Sequence, residues 1–379
     1  MYKGVILPAG LLAATIIGAG IFALPYVFDK AGLGAGLFYL TLFSWVFSLI
    51  HLMYADVVLR TRGDHRFAGY AEIYLGSAGK WISGLVTILG EIFILTIYLV
   101  LSLSFFNLLA PTQNSLYLIL LFWFLGSIPI FWGIKKIAVS EFLLVSIILI
   151  IIFLIFFYGW GNLSKASFEP VLNFSFLFLP YGAILFALNG RTAIPGLVDY
   201  FRKNNLGILK VKRAVILGTL VPAFFYFLFV LGILGISPEV SPDSITGTSK
   251  NLPPMLLSFV GILGLLSLWS TYFIIGQDIK KSLGLDLRFN KIFAAMVPLF
   301  LPLFFYFSGF QNFLKLVELT GAVFLGLEGF LIILIWLKAR RVVAETEDAI
   351  FLKLNPLVPY LLLLIFGMGI ILELIKQLS

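Results

Sequence analysis

Two short stretches decide the fold: GAGIFALP at residues 18–25 and LNGRTAIP at residues 188–195. Shifted by 170 residues, both read G-x-x-A-x-P within an otherwise apolar segment. Glycine and proline interrupt helices, because glycine is conformationally free and proline lacks the backbone N–H that a helix interior needs. We therefore predict that two long apolar helices are broken at equivalent positions.

The composition places the rest of the chain in a membrane. Of 379 residues, 61% are hydrophobic and only 12% are charged, and the mean hydropathy is +1.09. A soluble domain carries about 25% charged residues to solvate its surface, so a water-soluble enzyme is excluded. With no cysteine and two histidines, the chain also lacks the means for disulfides, a catalytic thiol or a three-histidine metal site.

Eleven segments are apolar enough to cross a bilayer, which takes about 20 residues. They are residues 5–28, 34–59, 81–109, 115–133, 137–160, 174–200, 209–236, 256–283, 289–308, 312–338 and 355–377. The longest connections, 60–80 and 237–255, are too short for a separate soluble domain. The sequence thus predicts an all-α integral membrane protein with eleven transmembrane helices.

The basic residues predict the orientation of these spans. Cytoplasmic loops retain lysine and arginine. With the N-terminus inside, 20 of the 26 basic residues fall on the inner side, five fall outside, and Arg191 lies within a span. We therefore expect a multi-pass protein of the plasma (cytoplasmic) membrane, with a cytoplasmic N-terminus and an external C-terminus. The net charge of +8 is then explained by the orientation of the chain in the membrane, and nucleic acid is not an expected partner.

The offset of 170 residues also carries spans two to five onto spans seven to ten. Because each unit has five spans, the second copy starts on the opposite side of the membrane and is inverted. Inverted repeats with broken helices are typical of secondary transporters. We predict a first repeat at 1–160, a second at 161–340, and an eleventh helix at 341–379 outside both.

The two breaks predict a binding site. Backbone groups freed at mid-membrane cost several kcal/mol each if unpaired, so they persist beside a polar cavity or a ligand. The N-terminal ends of half-helices attract a carboxylate, and freed carbonyls can bind a cation. A single break is equally well explained as a helix kink, but two at equivalent positions favour a substrate site.

Three motifs carry a family resemblance. TIIGAGIFALPY at 15–26 resembles the first-helix signature of amino acid permeases, FALNGRTAIP at 186–195 their broken sixth helix, and LWSTYF at 268–273 their eighth helix. The chain is most similar to the aromatic amino acid permease and amino acid/auxin permease group of the amino acid–polyamine–organocation superfamily. This resemblance implies the five-plus-five inverted-repeat fold of the bacterial leucine transporter, with alternating access.

The resemblance also implies which residues bind substrate. Backbone amides around Ala19 and Gly20 would bind a carboxylate, which approaches closely because Gly20 has no side chain. Carbonyls of the sixth span would receive the amino group. Tyr98 lies about two turns beyond Glu91 on the same helix face and is a candidate hydrogen-bond donor. The predicted substrate residues are Gly18, Ala19, Gly20, Tyr98, Leu185, Phe186, Asn189 and Gly190.

A sodium ion is the only cofactor that the resemblance implies. Its site would combine backbone and hydroxyl oxygens, which hard cations prefer, from Ala14, Ile17, Ser267, Ser270 and Thr271. The alternative is that the two hydroxyls of the eighth span bond to their own helix. The second sodium site of leucine-type transporters needs asparagine where Ile21 stands, so we expect that site to be absent.

Ionisable residues inside spans are costly and mark sites. Arg191 directly follows the second break. Glu91 in the third span and Glu328 in the tenth are its expected partners, with Glu91 favoured. Arg191 and its partner form a structural ion pair or an inner gate, or Arg191 recognises an acidic side chain of the substrate. Alternatively, Glu91 carries a proton. Glu318 also lies in the tenth span. Interface placement is expected for the carboxylates near span ends, Asp56, Glu141, Asp278 and Glu373.

These features favour a secondary amino acid transporter, a symporter driven by a sodium or proton gradient. A membrane-embedded enzyme with a lipid substrate, such as a glycosyltransferase, is the alternative, but large polar loops and a paired metal-binding aspartate motif are missing. A channel is disfavoured by breaks at a central site. No Walker A pattern is present, so the energy must come from a gradient. The sequence leaves open the amino acid, the ion and the oligomeric state.

Overall fold

The computed structural model describes residues 2–110, 113–132, 138–161, 163, 171–249, 251–342, 350, 352 and 354–378. Regular structure in these residues is helical. The α-helices are α1 Leu7–Ile16, α2 Leu24–Ala31, α3 Leu33–Arg60, α4 Phe67–Leu109, α5 Ser115–Trp132, α6 Ala138–Trp160, α7 Leu179–Ala187, α8 Ile194–Lys203, α9 Ile208–Ile236, α10 Pro254–Lys281, α11 Lys291–Phe307, α12 Phe313–Leu319, α13 Gly326–Val342 and α14 Leu357–Leu378.

The lengths and composition of these helices identify candidate membrane spans in the described residues. Seven helices are long and apolar enough to span a membrane individually. The bent pair Gly4–Ile16 and Ala19–Ala31, with an angle of 53°, forms another span. The shorter apolar helices Ser115–Phe131 and Lys291–Phe307 and the broken pair α7 and α8 correspond to three further segments predicted as spans. The predicted all-α membrane architecture is confirmed.

Both predicted breaks occur, and each leads through a 3₁₀ segment into a second helix. α1 ends at Ile16, Gly18 is extended with φ −133° and ψ −147°, and a 3₁₀ segment Ala19–Ala23 leads into α2. In the sixth span, α7 ends at Ala187 and the 3₁₀ segment Arg191–Ala193 leads into α8. A proline lies in the first turn of both α2 and α8, where its missing N–H would have no helical partner.

The connection at 60–80 is mostly helical, which the division of the sequence into apolar spans did not show. α4 begins at Phe67 and is interrupted at Gly76, whose φ of 77° is left-handed. Tyr70 and Tyr74 of its first part are buried, whereas Glu72 is exposed. The glycines, tyrosines and Glu72 of this part lower its mean hydropathy below that of a membrane span.

The two broken spans lie at the centre of the bundle. α9 packs against α1 and α3, and α4 packs against α10. α7 contacts a π-helical segment of the tenth span, Thr320–Leu325, so closely that a β-carbon on Gly321 would overlap the carbonyl of Gly182. α14 packs on α13 at the edge. The repeat boundaries at 160/161 and 340/341 stay a prediction.

Candidate functional site

A small cavity lies where the two breaks meet, enclosed by the first, third, sixth and eighth spans. It leaves about 30 Å³ for the centres of water-sized molecules. Six of the predicted substrate residues line it, together with Glu91: Gly18, Ala19, Gly20, Tyr98, Phe186 and Asn189. The motifs that were 170 residues apart in sequence therefore form one site.

Two predicted substrate residues do not line this cavity. Leu185 is fully buried within α7. The α-carbon of Gly190 faces Ile16 and Leu12 of α1, so Gly190 packs the sixth span against the first. These residues shape the site through packing.

The first break supplies amide donors. The initial N–H groups of the segment Ala19–Ala23 have no acceptor within their own helix. Gly20 has a second constraint beyond the close approach of a ligand, because a β-carbon at this position would overlap the Cα of Ala187. A side chain at Gly20 would therefore separate the two broken spans. At Gly18 the nearest atom to a β-carbon is the hydroxyl of Tyr98, at 3.1 Å.

Tyr226 of α9 joins the two breaks, and the sequence analysis did not identify it. Its hydroxyl lies 2.7 Å from the carbonyl oxygen of Ile16 and 2.9 Å from that of Ala187. These carbonyls belong to the ends of α1 and α7. A lone tyrosine within the apolar seventh span was the only signal available in the sequence.

His51 of α3 binds the second break. The N–H of Gly190 donates to His51 Nε2 at 3.2 Å, and His51 Nδ1 lies 2.9 Å from the hydroxyl of Thr219. Because Nε2 accepts a hydrogen bond, the ring is neutral with its proton on Nδ1. Sequence reasoning had used His51 only to exclude a histidine metal site.

The connection between α9 and α10 covers the far end of the first break. Ser244 donates to the carbonyl of Phe22 at 2.6 Å. Asp243 accepts hydrogen bonds from the hydroxyls of Ser104, Ser241 and Thr246. Burial alone would raise the pKa of Asp243, but these hydrogen bonds and a backbone N–H hold it below its usual value.

Arg191 is the centre of a buried charge cluster. Its Nη2 lies 2.5 Å from Glu91 Oε1, and its Nε donates to Glu328 Oε2 at 2.9 Å. Nη2 also lies 3.6 Å from Asp278 Oδ2, and Asp278 Oδ1 lies 3.8 Å from Arg66 Nε. The Arg191 side chain is 3% exposed. The structure thus places both carboxylates considered as partners, and a third, around Arg191.

Three carboxylates expected at the interface are instead buried in the protein. Asp278 joins the Arg191 cluster because α10 continues past it to Lys281. Asp56 accepts from Trp336 Nε1 and from the N–H of Ile350. Glu373 is 1% exposed. Distance from a span end was a poor guide to depth, because neighbouring helices cover these positions. The Glu141 side chain lies outside the described residues.

In the part of the chain that the structure describes, the predicted sodium ligands do not line one polar pocket. Thr271 donates to the carbonyl of Ser267 in its own helix at 2.8 Å, as the alternative interpretation expected. Ser267 and Ile17 line a second cavity, whose other walls are almost entirely aliphatic and aromatic. Ala14 and Ser270 are also buried, and each lies three positions in sequence from one of these two lining residues. The sodium site stays a prediction.

Solved transporters share this fold. MhsT in complex with L-phenylalanine aligns with a TM-score of 0.72 and 16% identity, over 97% of both chains. Mhp1, a nucleobase-cation-symport-1 family transporter in a closed conformation with bromovinylhydantoin bound, aligns with a TM-score of 0.66 and 16% identity. The alignment covers 97% of this chain and 90% of Mhp1. A manganese transporter of Eremococcus coleocola aligns with a TM-score of 0.64 and 14% identity, over 99% of this chain and 85% of that transporter. No curated protein sequence matches significantly.

Two broken helices that meet at one cavity are typical of secondary transporters. The profile of the tryptophan/tyrosine permease family matches residues 1–265, more than half of the chain. The chain belongs to that family. It is a secondary transporter of amino acids and not an enzyme.

Proposed function

We propose that this transporter carries an aromatic amino acid, bound between the two breaks. The observation that carries the proposal is the meeting of the Ala19–Ala23 amide donors, Asn189 and Tyr98 at one cavity. The amides would hold the substrate carboxylate, since the positive end of a helical segment attracts an anion. The amino group would lie toward the carbonyls of the sixth span and Glu91.

The cavity walls support an aromatic side chain. Ile16, Ile94, Phe186 and Ile275 supply apolar surface around the polar groups. The solved MhsT holds L-phenylalanine, and the family is named for tryptophan and tyrosine. A cavity of about 30 Å³ must widen to take such a substrate, which alternating access entails.

We also propose the orientation and the branch within the superfamily. The distribution of basic residues supports a cytoplasmic N-terminus and an external C-terminus in the cytoplasmic membrane. Eleven spans and the residues 15–26 support the aromatic and amino acid/auxin branch. Accumulation would be driven by symport with an ion, for which sodium at the predicted eighth-span site and a proton are the alternatives.

Ligand-induced stabilisation of the detergent-purified protein tests the substrate. A ligand that binds only the folded state raises the melting temperature. L-Tryptophan, L-tyrosine and L-phenylalanine should do so, whereas tryptamine, which lacks the carboxylate, and L-alanine should not. Stabilisation by tryptamine equal to that by tryptophan would contradict the amide site.

A pair of glycine variants locates the site. Gly18→Ala places a methyl group against the Tyr98 hydroxyl and should weaken binding at least several-fold. Gly196→Ala, whose β-carbon meets nothing within 4 Å, is the matched control and should bind normally. Unchanged affinity of the Gly18 variant would remove the first break from the proposed site.

A further inference from the structure

The charges of the Arg191 cluster do not balance. Three carboxylates, Glu91, Asp278 and Glu328, share two guanidinium groups, Arg191 and Arg66. Side chains of all but Arg66 are at most 7% exposed, and that of Arg66 is 15% exposed. An uncompensated charge in such surroundings is costly. One bound proton would bring the cluster to neutrality.

Two of the carboxylates have an oxygen without a hydrogen-bond partner. In the described residues, these buried atoms are Glu91 Oε2 and Asp278 Oδ2. The two carboxylates lie on the same nitrogen of Arg191, so they are no more than about 6 Å apart. Two close carboxylates in a site that cannot hold both charges share a proton.

Other charged and titratable groups around the pair do not remove the imbalance. Tyr54 is buried beside it and is neutral. Asp286 lies beyond Arg66 and adds a further negative charge. Its carboxylate accepts hydrogen bonds from the backbone N–H groups of Arg66 and Gly69. Lys281 is exposed at the end of α10 and is solvated. The cluster therefore still needs one proton.

We propose that Glu91 and Asp278 together form a proton-binding site beside the substrate cavity. An O–H bond forms between a proton from one aqueous side and a carboxylate oxygen of the pair, and breaks when the proton leaves to the other side. Because Glu91 also lines the substrate cavity and Arg191 directly follows the Gly190 break, the bound proton acts on substrate and broken helix together. Its role as the coupling ion rests on the proposed function.

Infrared spectra across a pH titration test whether the proton is bound. A protonated buried carboxyl has a C=O stretch above the amide I band, which an ionised carboxylate lacks. We expect that band at neutral pH in the wild type and its loss in both Glu91→Gln and Asp278→Asn. Each variant leaves two carboxylates with two guanidinium groups, so both should fold.

The matched control is Glu318→Gln, which removes a tenth-span carboxylate paired with Lys376 outside the cluster. It should keep the band. A wild type without the band, or its persistence in both cluster variants, overturns the site. Loss of the band in only one cluster variant overturns the sharing of the proton.

Proteoliposomes with a trapped pH dye test the coupling. An inward gradient of L-tryptophan, L-tyrosine or L-phenylalanine should acidify the lumen with the wild type. Acidification should fall to background in both cluster variants, and Asp278→Asn, whose side chain does not line the cavity, should still exchange labelled for unlabelled substrate above protein-free liposomes. Uptake that follows sodium and ignores pH overturns the inference and leaves the transporter intact. A titrating carboxyl band without binding of any aromatic amino acid supports the proton site and overturns the proposed function.

Discussion

Replacing Arg191 by glutamine should destabilise the protein strongly. The substitution leaves Glu91, Asp278 and Glu328 buried with Arg66 as the only cation of the cluster. Removing one partner of a buried ion pair costs about 3–5 kcal/mol, since the remaining charge stays uncompensated. With an unfolding entropy of about 2 cal/mol/K per residue, this corresponds to a fall in melting temperature of roughly 4–6 °C for 379 residues.

The measurement is thermal unfolding of detergent-purified Arg191→Gln, with Arg341→Gln as the matched control. Arg341 lies exposed at the end of α13, so its loss should leave the melting temperature unchanged. The double variant Arg191→Gln/Glu91→Gln removes one of the stranded carboxylates and should recover part of the lost stability. A melting temperature of the single variant equal to that of the wild type, or a double variant no more stable than the single one, would refute the reasoning. Normal folding with an altered preference among amino acids would instead assign Arg191 to substrate recognition.

Three further variants, two of them with a matched control variant, test other contacts by thermal unfolding. Tyr226→Phe removes the hydroxyl between the two breaks and should cost about 1–3 kcal/mol, whereas Tyr272→Phe, whose buried hydroxyl has no partner in the described residues, should cost little. Gly20→Ala should destabilise by overlap with the sixth span, and Gly196→Ala in an open helical position should be neutral or slightly stabilising. Since folding lowers the pKa of Asp243, its contribution is complete above its unfolded-state pKa and is lost as pH falls through the folded one. Acid should therefore lower the melting temperature of the wild type more than that of Asp243→Asn. An equal acid response in both would contradict this.

The elements that the sequence predicted well are those set by local pattern. A run of apolar residues is long enough for a span or it is not, and the glycines and prolines at 18–25 and 188–195 break helices regardless of their neighbours. The helix that begins at Phe67 was not predicted, because the two glycines, two tyrosines and one glutamate of its first part keep it from being uniformly apolar. Average hydropathy alone does not detect such a segment.

The contacts that hold the breaks together could not be predicted, because they come from spans far away in sequence. Tyr226 reaches Ile16 across 210 positions, and His51 reaches Gly190 across 139. No local motif distinguishes either from an ordinary residue of a membrane helix. The depth of Asp278 was missed for the same reason, since burial near a span end depends on which helices pack there.

The hydroxyl of Tyr226 has one proton but two carbonyl acceptors, at the ends of α1 and α7. It can satisfy one of them fully or share the proton between both. If a movement lengthens one of these contacts, the hydroxyl donates its hydrogen bond to the other carbonyl. The Tyr226 hydroxyl therefore always has an acceptor. The junction between the first and sixth spans can therefore loosen with the loss of one carbonyl hydrogen bond. A hydroxyl is suited to this position because a fixed pair of donors would tie the two broken spans together and oppose alternating access.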